Sequence, residues 1–196
     1  YEQLNHQQKR WVDDYFIASV FPVLTPLAVD PAHPFPFVSN LSLNVAAVIR
    51  DPDTDRHQFA RVKVPQKNLP RFIALPTNLS DCDPRPIHTA VPLEQVIAFN
   101  LGMLFPGMTV EGHYFFRITR DAVLELRDLE ADDLMLALEQ GLRKRRVGGE
   151  VVRLEVPNEM PENVVQMLMT GMAVEDEDLY RIDGPLGLDD LFGLMS

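Results

Sequence analysis

The sequence lacks most of the features by which common protein classes are recognised. Cys82 is the only cysteine among the 196 residues, which excludes an internal disulfide framework and fits a reducing compartment. No run approaches the roughly 18 apolar residues that a membrane-spanning helix requires. With 46% hydrophobic and 24% charged residues, the chain instead has the composition of an ordinary globular protein with its own core.

The familiar catalytic motifs are also missing. There is no glycine-rich phosphate loop, Gly-x-Ser-x-Gly elbow, paired-cysteine motif or His-Glu-x-x-His sequence. Two aspartates flank Cys82, and their negative charge disfavours the thiolate that a nucleophile needs. These absences count against the easily recognised enzyme classes.

Basic residues are scarce, since 18 Lys and Arg stand against 29 Asp and Glu and give a net charge of −11. Such a balance argues at first against a polyanionic partner. The charge is uneven, however, because residues 148–196 hold 11 acidic and 2 basic residues, and residues 1–147 hold 18 and 16. The body of the chain is therefore nearly neutral, and the last quarter carries the acidity.

Two small groups of residues suggest ligand chemistry. Asp30 and His33 could supply two metal ligands from a proline-rich loop, but no third ligand is evident, and such residues often cap their own turns. Lys63, Lys67 and Arg71 cluster around a predicted strand end and could line a phosphate-binding surface, or they could be ordinary surface charge.

Each of two charged runs can also be interpreted either as ordinary surface structure or as a binding segment. The basic run 143–146 could contact phosphate, but such a run is more typical of a solvated helix end, where it complements the helix dipole. The acidic run 175–178 is either a solvated turn and helix start or a segment that docks on a basic neighbouring domain.

Hydrophobic periodicity and proline positions predict the elements of the fold. Asn5 is the predicted cap of the first helix. Its predicted stripe consists of Leu4, Gln8, Trp11, Tyr15, Phe16 and Ser19. Pro26 places the extended segment 23–29 at a sheet edge or a bulge. Helices are predicted at 4–20, 93–104, 131–146 and 161–169. Strands are predicted at 41–50, 57–64, 71–76, 108–127 and 151–156. This order predicts an α+β fold, with a mixed, largely antiparallel sheet packed with helices in a two-layer arrangement.

Residues 21–44, which read FPVLTPLAVDPAHPFPFVSNLSLN, closely resemble the polyphosphate kinase family. The resemblance continues through residues 61–65, 69–72, 116–120, 152–155 and 180–188, and so covers nearly the whole chain. It points to the middle or head domain of that family. The implied organisation is a helical linker at 1–20 from a preceding domain, the head domain at 21–183, and the start of a linker to the catalytic domains at 184–196. The first residue, Tyr1, and the unfinished final helix also suggest a piece of a longer protein.

The resemblance implies a function for the parent enzyme. Members of the family reversibly transfer the terminal phosphoryl group of ATP to inorganic polyphosphate, use magnesium, and pass through a phosphohistidine in C-terminal domains. ATP and Mg would therefore belong to the full-length enzyme, and His33 would not be the phosphohistidine. No catalytic residue, metal or cofactor is predicted for this chain alone, which is expected to be inactive.

The resemblance also implies partners and a location. The head domain would form a homodimer and contact the other domains of its own chain, with no nucleic acid as partner. The parent would be a bacterial enzyme in the cytoplasm or at the membrane periphery.

Five polar side chains could face a channel for substrate. They are Asn40, Ser42, Asn44, Lys63 and Arg71. The alternative for each is stabilisation of the fold and its loops. Two rival functions also stay open, a stand-alone regulatory or adaptor module that binds a protein partner and a metal-dependent hydrolase built on Asp30 and His33.

Overall fold

The computed structural model describes residues 1–29, 35–76, 79, 89–121 and 149–194. They belong to two compact units: unit one contains Tyr1–His33, Leu43–Phe115 and Gly187–Ser196, and unit two contains Pro34–Ser42 and Phe116–Leu186. The predictions for Asp30, His33, Cys82 and the helix at 131–146 with its basic run lie outside the described residues.

Helix α1, His6–Tyr15, opens unit one and has the predicted cap. The Asn5 side chain accepts a hydrogen bond from the Gln8 backbone N–H at 2.8 Å, and the Gln8 side chain accepts one from the Asn5 backbone N–H at 3.0 Å. This reciprocal arrangement is a capping box, which satisfies two backbone donors that the helix itself leaves unpaired. The sequence therefore fixes the start of α1 locally.

The buried stripe of this helix agrees only in part with the predicted one, of which Gln8 and Phe16 are buried. Helical backbone continues through a π-helical turn, Phe16–Val20, and a 3-10 turn, Phe21–Val23. Val12, Phe16 and Val20 are fully buried, whereas Trp11 and Tyr15 are only half-buried and stack on each other with ring centroids 5.6 Å apart. The buried face therefore follows Val12, Phe16 and Val20 at a spacing of four residues.

The strands of unit one are antiparallel where their pairing is defined. Strand β1, Pro26–Val29, pairs with β3, His57–Lys63, and β3 pairs with β2, Leu43–Arg50. Strand β6, Thr109–Arg120, lies next to β2, and its residues up to Phe115 belong to unit one. The β2–β3 hairpin confirms the prediction from the Asp-rich turn. Strand β1 stands at one end of the strand order. An edge strand tolerates a proline such as Pro26, because only one side of the strand needs backbone hydrogen bonds to a neighbour.

The remaining elements of unit one are short. Strands β4, Phe72–Ala74, and β5, Ala90–Pro92, form a separate antiparallel pair. Helices α2, Leu93–Phe99, and α3, Leu101–Leu104, follow, and α2 contacts β2 and the π-helical turn. A 3-10 segment, Leu188–Leu194, ends the description of unit one where the sequence predicted the start of a regular helix.

Unit two is built on the second part of β6, which pairs antiparallel with β7, Val151–Pro157. Strand β8, Leu179–Ile182, runs parallel to β7, and helix α4, Glu162–Met172, packs against β7. The core contains the following side chains, all of which are fully buried: Phe116, Ile118, Leu154, Val156 and Leu168.

Gly171 in α4 is required by close packing. A Cβ atom at this position would lie 2.2 Å from Cδ2 of Phe35, so only glycine lets that ring approach the helix. The residue therefore fixes Phe35 against α4.

The α+β fold with a mixed, largely antiparallel sheet is confirmed. The prediction missed β5 and β8, which have only three and four residues and are defined by their pairing partners. The predicted helix at 93–104 is divided at Asn100, and the acidic run forms a 3-10 turn, Asp176–Asp178, that leads into β8 instead of a helix.

Candidate functional site

The β2–β3 hairpin brings polar side chains together at the end of β3. Asn44 stands directly opposite Lys63, and Ala46 stands opposite Arg61. Because side chains two residues apart on a strand share a face, Asn44, Arg61 and Lys63 lie on one face of the hairpin. Arg61 Nε donates a hydrogen bond to Asn44 Oδ1 at 3.0 Å, and both residues are buried.

Like charges gather at this point. Burial lowers the pKa of Lys63, and the positive charges of Arg61 and Lys67 lower it further. Burial also lowers the pKa of Arg61. We call Asn44, Arg61, Lys63 and Lys67 the basic cluster. Arg61 and Lys63 lie two residues apart on one face of β3, and the positive charges of Arg61 and Lys67 oppose protonation of Lys63.

Arg71 lies at the centre of a different network. Its guanidinium contacts Glu94 Oε1 at 2.8 Å and Asp190 Oδ2 at 2.9 Å, and it donates a further hydrogen bond to the Gly187 carbonyl. Gln66 Nε2 donates to the same Asp190 oxygen at 2.6 Å. The Arg71 and Glu94 side chains are only 6% and 8% exposed. We call Arg71, Glu94, Gly187 and Asp190 the arginine latch.

The carboxylates of the latch stabilise the protonated form of Arg71. Burial lowers the pKa of Arg71, but hydrogen bonds to Glu94 and Asp190 and their charges outweigh this effect and raise it. The latch thus joins the loop before β4, the start of α2 and the C-terminal 3-10 segment. These contacts join three segments of unit one around one buried guanidinium.

Asn40 and Ser42 belong to unit two and organise one turn. Asn40 Oδ1 accepts a hydrogen bond from the Arg120 backbone N–H at 2.8 Å, and the Ser42 hydroxyl donates to the Ser39 carbonyl at 2.7 Å. Between them Leu41 adopts a positive φ of 57°, a backbone conformation that residues other than glycine rarely adopt. The hydrogen bonds of Asn40 and Ser42 hold the turn around it. The five predicted residues are therefore divided: Asn44 and Lys63 meet in the basic cluster, Arg71 lies in the latch, and Asn40 and Ser42 form the turn.

Sequence reasoning missed Arg61 and Glu94. The alternation of charged and apolar residues in 61–64 was available as a signal, because it places Arg61 on the same strand face as Lys63. Glu94 carried no such signal, since an acidic residue in the first turn of a helix is usually explained by the helix dipole. Its burial against Arg71 follows only from the packing.

Unit two has its own arginine cluster on β6, β7 and β8. Glu155 lies 3.3 Å from Arg117 and 2.8 Å from Arg153, and the Arg153 guanidinium stands 4.0 Å from the centre of the Tyr180 ring. The carboxylate between the two arginines offsets part of their charge. This cluster therefore resembles the latch more than the basic cluster.

Among the residues that the structure describes, no three His, Cys, Asp or Glu side chains are grouped closely enough to hold a metal ion. Within that part of the chain, too, no helix combines the length and apolar character needed to span a membrane.

Comparison with known proteins identifies the family. Residues 7–194 match the family model described as the polyphosphate kinase middle domain. The chain belongs to the polyphosphate kinase family. It is 82% identical over its whole length to the polyphosphate kinase of Parasynechococcus marenigrum and 72% identical to that of Prochlorococcus marinus. It covers 28% and 27% of these two proteins, so it spans just over a quarter of the length of each.

A solved structure shows the same fold. The crystal structure of polyphosphate kinase from Porphyromonas gingivalis matches 95% of this chain with a TM-score of 0.73, at 23% identity, and the match covers 25% of that protein. At this identity the similarity concerns the fold. It confirms that the α+β arrangement seen here is one that a segment of a polyphosphate kinase adopts.

Proposed function

We propose that this chain is the head domain of a polyphosphate kinase that reversibly transfers the terminal phosphoryl group of ATP to inorganic polyphosphate. The observation that carries the proposal is the 82% identity over the entire chain to a polyphosphate kinase of which it covers 28%. Residues 1–20 would link to a preceding domain, 21–183 would form the head domain, and 184–196 would begin the link to the catalytic domains.

The proposal assigns the chemistry to other segments of the parent enzyme. Phosphoryl transfer needs a positioned nucleophile and cationic groups on the phosphates, usually with a metal ion. Nearly three quarters of the Parasynechococcus marenigrum protein lies outside the segment that this chain matches, and we assign ATP, Mg and the phosphohistidine to such segments of the parent enzyme. The arginine latch, in which carboxylates neutralise the guanidinium, is consistent with a structural role for this segment.

Dimer formation is part of the proposal. Unit one exposes several large apolar side chains within one short stretch of chain, namely Ile17 at 51%, Phe21 at 40%, Val23 at 41% and Leu27 at 39%. Leu27 lies in β1, which stands at one end of the strand order, and a strand at a sheet edge offers unpaired backbone groups. A neighbouring copy that covered such a surface would remove apolar area from water.

An activity assay tests the assignment of function. The full-length enzyme and the isolated 196-residue chain are each incubated with labelled ATP, magnesium and a polyphosphate primer. We expect the full-length enzyme to extend polyphosphate and the isolated chain to give neither extension nor a phosphohistidine signal in ³¹P NMR. Turnover by the isolated chain would contradict the location of the chemistry, and a full-length enzyme without transfer activity would contradict the proposed reaction.

A further inference from the structure

We propose that Phe37, Leu41 and Val152 form a docking surface that another segment of the same polypeptide covers in the full-length enzyme. We call these three residues the unit-two apolar surface. The inference rests on the proposed function, because it takes this chain to be one part of a longer polyphosphate kinase. It deepens that function by naming the side chains through which unit two contacts the remainder of the enzyme.

Leu41 combines two features that rarely occur together. Its φ of 57° is unfavourable for a bulky side chain, and the residue is 51% exposed. Asp55 and Ala173 also have a positive φ, but Asp55 lies in a hairpin turn and Ala173 ends helix α4, where this conformation is common. Because half of Leu41 stays in water, packing within unit two offsets its strain only in part. Backbone strain of this kind is concentrated at sites where function depends on it.

The backbone on both sides of Leu41 is tied to the end of β6. The Leu41 N–H donates a hydrogen bond to the Ile118 carbonyl at 2.9 Å, and the Arg120 N–H donates one to Asn40 Oδ1 at 2.8 Å. A side chain that is exposed on a firmly held backbone loses little conformational freedom when a partner covers it, and this favours binding. The turn therefore presents Leu41 in a conformation suited to docking.

Two further apolar side chains are exposed at the same end of β6. The Phe37 ring is 48% exposed and its centre lies 4.6 Å from the guanidinium of Arg120, whose Nε donates to the Val38 carbonyl at 2.7 Å. Val152 is 42% exposed and is the extra residue of a β-bulge, because the register of β6 and β7 shifts between Thr119 and Arg120. Bulges often re-aim a side chain beside a functional site. A local irregularity or a cation–π contact thus accompanies each of the three exposed apolar groups.

The length of the relatives favours an occupant from the same polypeptide. The chain covers 28% of the Parasynechococcus marenigrum protein and 27% of the Prochlorococcus marinus protein, so most of each polypeptide lies outside the matched segment. Packing of such a segment on unit two would remove the three apolar side chains from water. A second copy of the chain is the alternative occupant, but the exposed stretch between Ile17 and Leu27 of unit one already provides a separate surface for self-association.

Thiol labelling of the full-length enzyme tests whether the unit-two apolar surface is covered. Leu41→Cys and Asp55→Cys each place a thiol at a position with a similar backbone, since their φ values are 57° and 54°. Asp55 is the matched control, because its side chain is 81% exposed and lies in unit one. Maleimide modification at each position is followed by peptide mass spectrometry, at dilutions where light scattering shows monomer or dimer. Each rate is divided by the rate in concentrated urea.

We expect the thiol of Leu41→Cys to react about tenfold more slowly than that of Asp55→Cys, because labelling then requires the covering segment to open. The protection should be the same in monomer and dimer. Equal rates at the two positions would overturn the docking surface. Protection that disappears when the dimer dissociates would overturn the proposed occupant in favour of a second copy.

Hydroxyl-radical footprinting of the wild-type enzyme provides a measurement that needs no substitution. Phe37 and Phe99 are almost equally exposed in this chain, at 48% and 46%. Phe37 should be oxidised several-fold less than Phe99 in the full-length enzyme, and equal oxidation would again overturn the docking surface. A wild-type enzyme without transfer activity would contradict the proposed function, whereas labelling and footprinting would still decide whether the surface is covered.

Discussion

Arg71 joins more segments of unit one than any other side chain considered above. Its guanidinium contacts α2 through Glu94 and the C-terminal segment through Asp190 and the Gly187 carbonyl. Breaking a buried ion pair is costly because the remaining charge has neither its partner nor water. The stability of unit one should therefore depend strongly on both members of the Arg71–Glu94 pair.

Glu94→Gln should lower the free energy of unfolding by about 3 kcal/mol, the lower end of the range for removing one partner of a buried pair, because Arg71 keeps its contacts with Asp190 and the Gly187 carbonyl. Asp190→Asn should cost less, about 1 kcal/mol or below, because the Asp190 side chain is 38% exposed and water can replace part of the interaction. Urea unfolding followed by circular dichroism measures both values. A cost for Glu94→Gln no larger than that for Asp190→Asn would contradict the inference that burial makes Glu94 the stronger partner.

Among the elements, helix α1 shows how a short local motif sets a boundary. The Asn5–Gln8 capping box is formed by residues three apart, and so it needs no distant partner. Asn5 Nδ2 also donates a hydrogen bond to the Leu79 carbonyl at 3.1 Å, which ties the helix start to another part of unit one. The two contacts can be separated by substitution.

Asn5→Ala should destabilise the chain by about 1 kcal/mol, because the Gln8 N–H loses its acceptor. Asn5→Ser keeps an oxygen acceptor for that N–H but has no Nδ2 donor for Leu79, so it should recover most of the loss. Thermal and urea unfolding of the three proteins provide the comparison. If Asn5→Ser were as unstable as Asn5→Ala, the contact with Leu79 would be the more important of the two.

The strands differ in how far sequence could predict them. The β2–β3 hairpin was predictable because an Asp-rich turn separates two apolar runs, and Asp51 accepts hydrogen bonds from Asp53 and Thr54 within that turn. Strands β5 and β8 were not, since segments of three and four residues carry no periodicity and become strands only through their partners β4 and β7.

At the scale of the whole molecule, the exposed apolar side chains between Ile17 and Leu27 favour self-association. We expect light scattering to give twice the monomer mass for the full-length enzyme, and the dimer should persist in 1 M salt because apolar contacts are not screened as ion pairs are. The isolated chain should dimerise at high concentration. A monomer throughout the concentration range, or a dimer that salt dissociates, would contradict an apolar interface.

Sequence alone determined what depends on neighbouring residues: the capped start of α1, the β2–β3 hairpin, the uneven charge and the family resemblance of residues 21–44. Only the tertiary structure decided which polar groups meet. Arg71 and Asp190 are separated by 119 positions, and the Arg61–Asn44 contact depends on strand register. Because such contacts join segments that are distant along the chain, packing divided the predicted basic residues between a neutralised latch and a cluster of like charges.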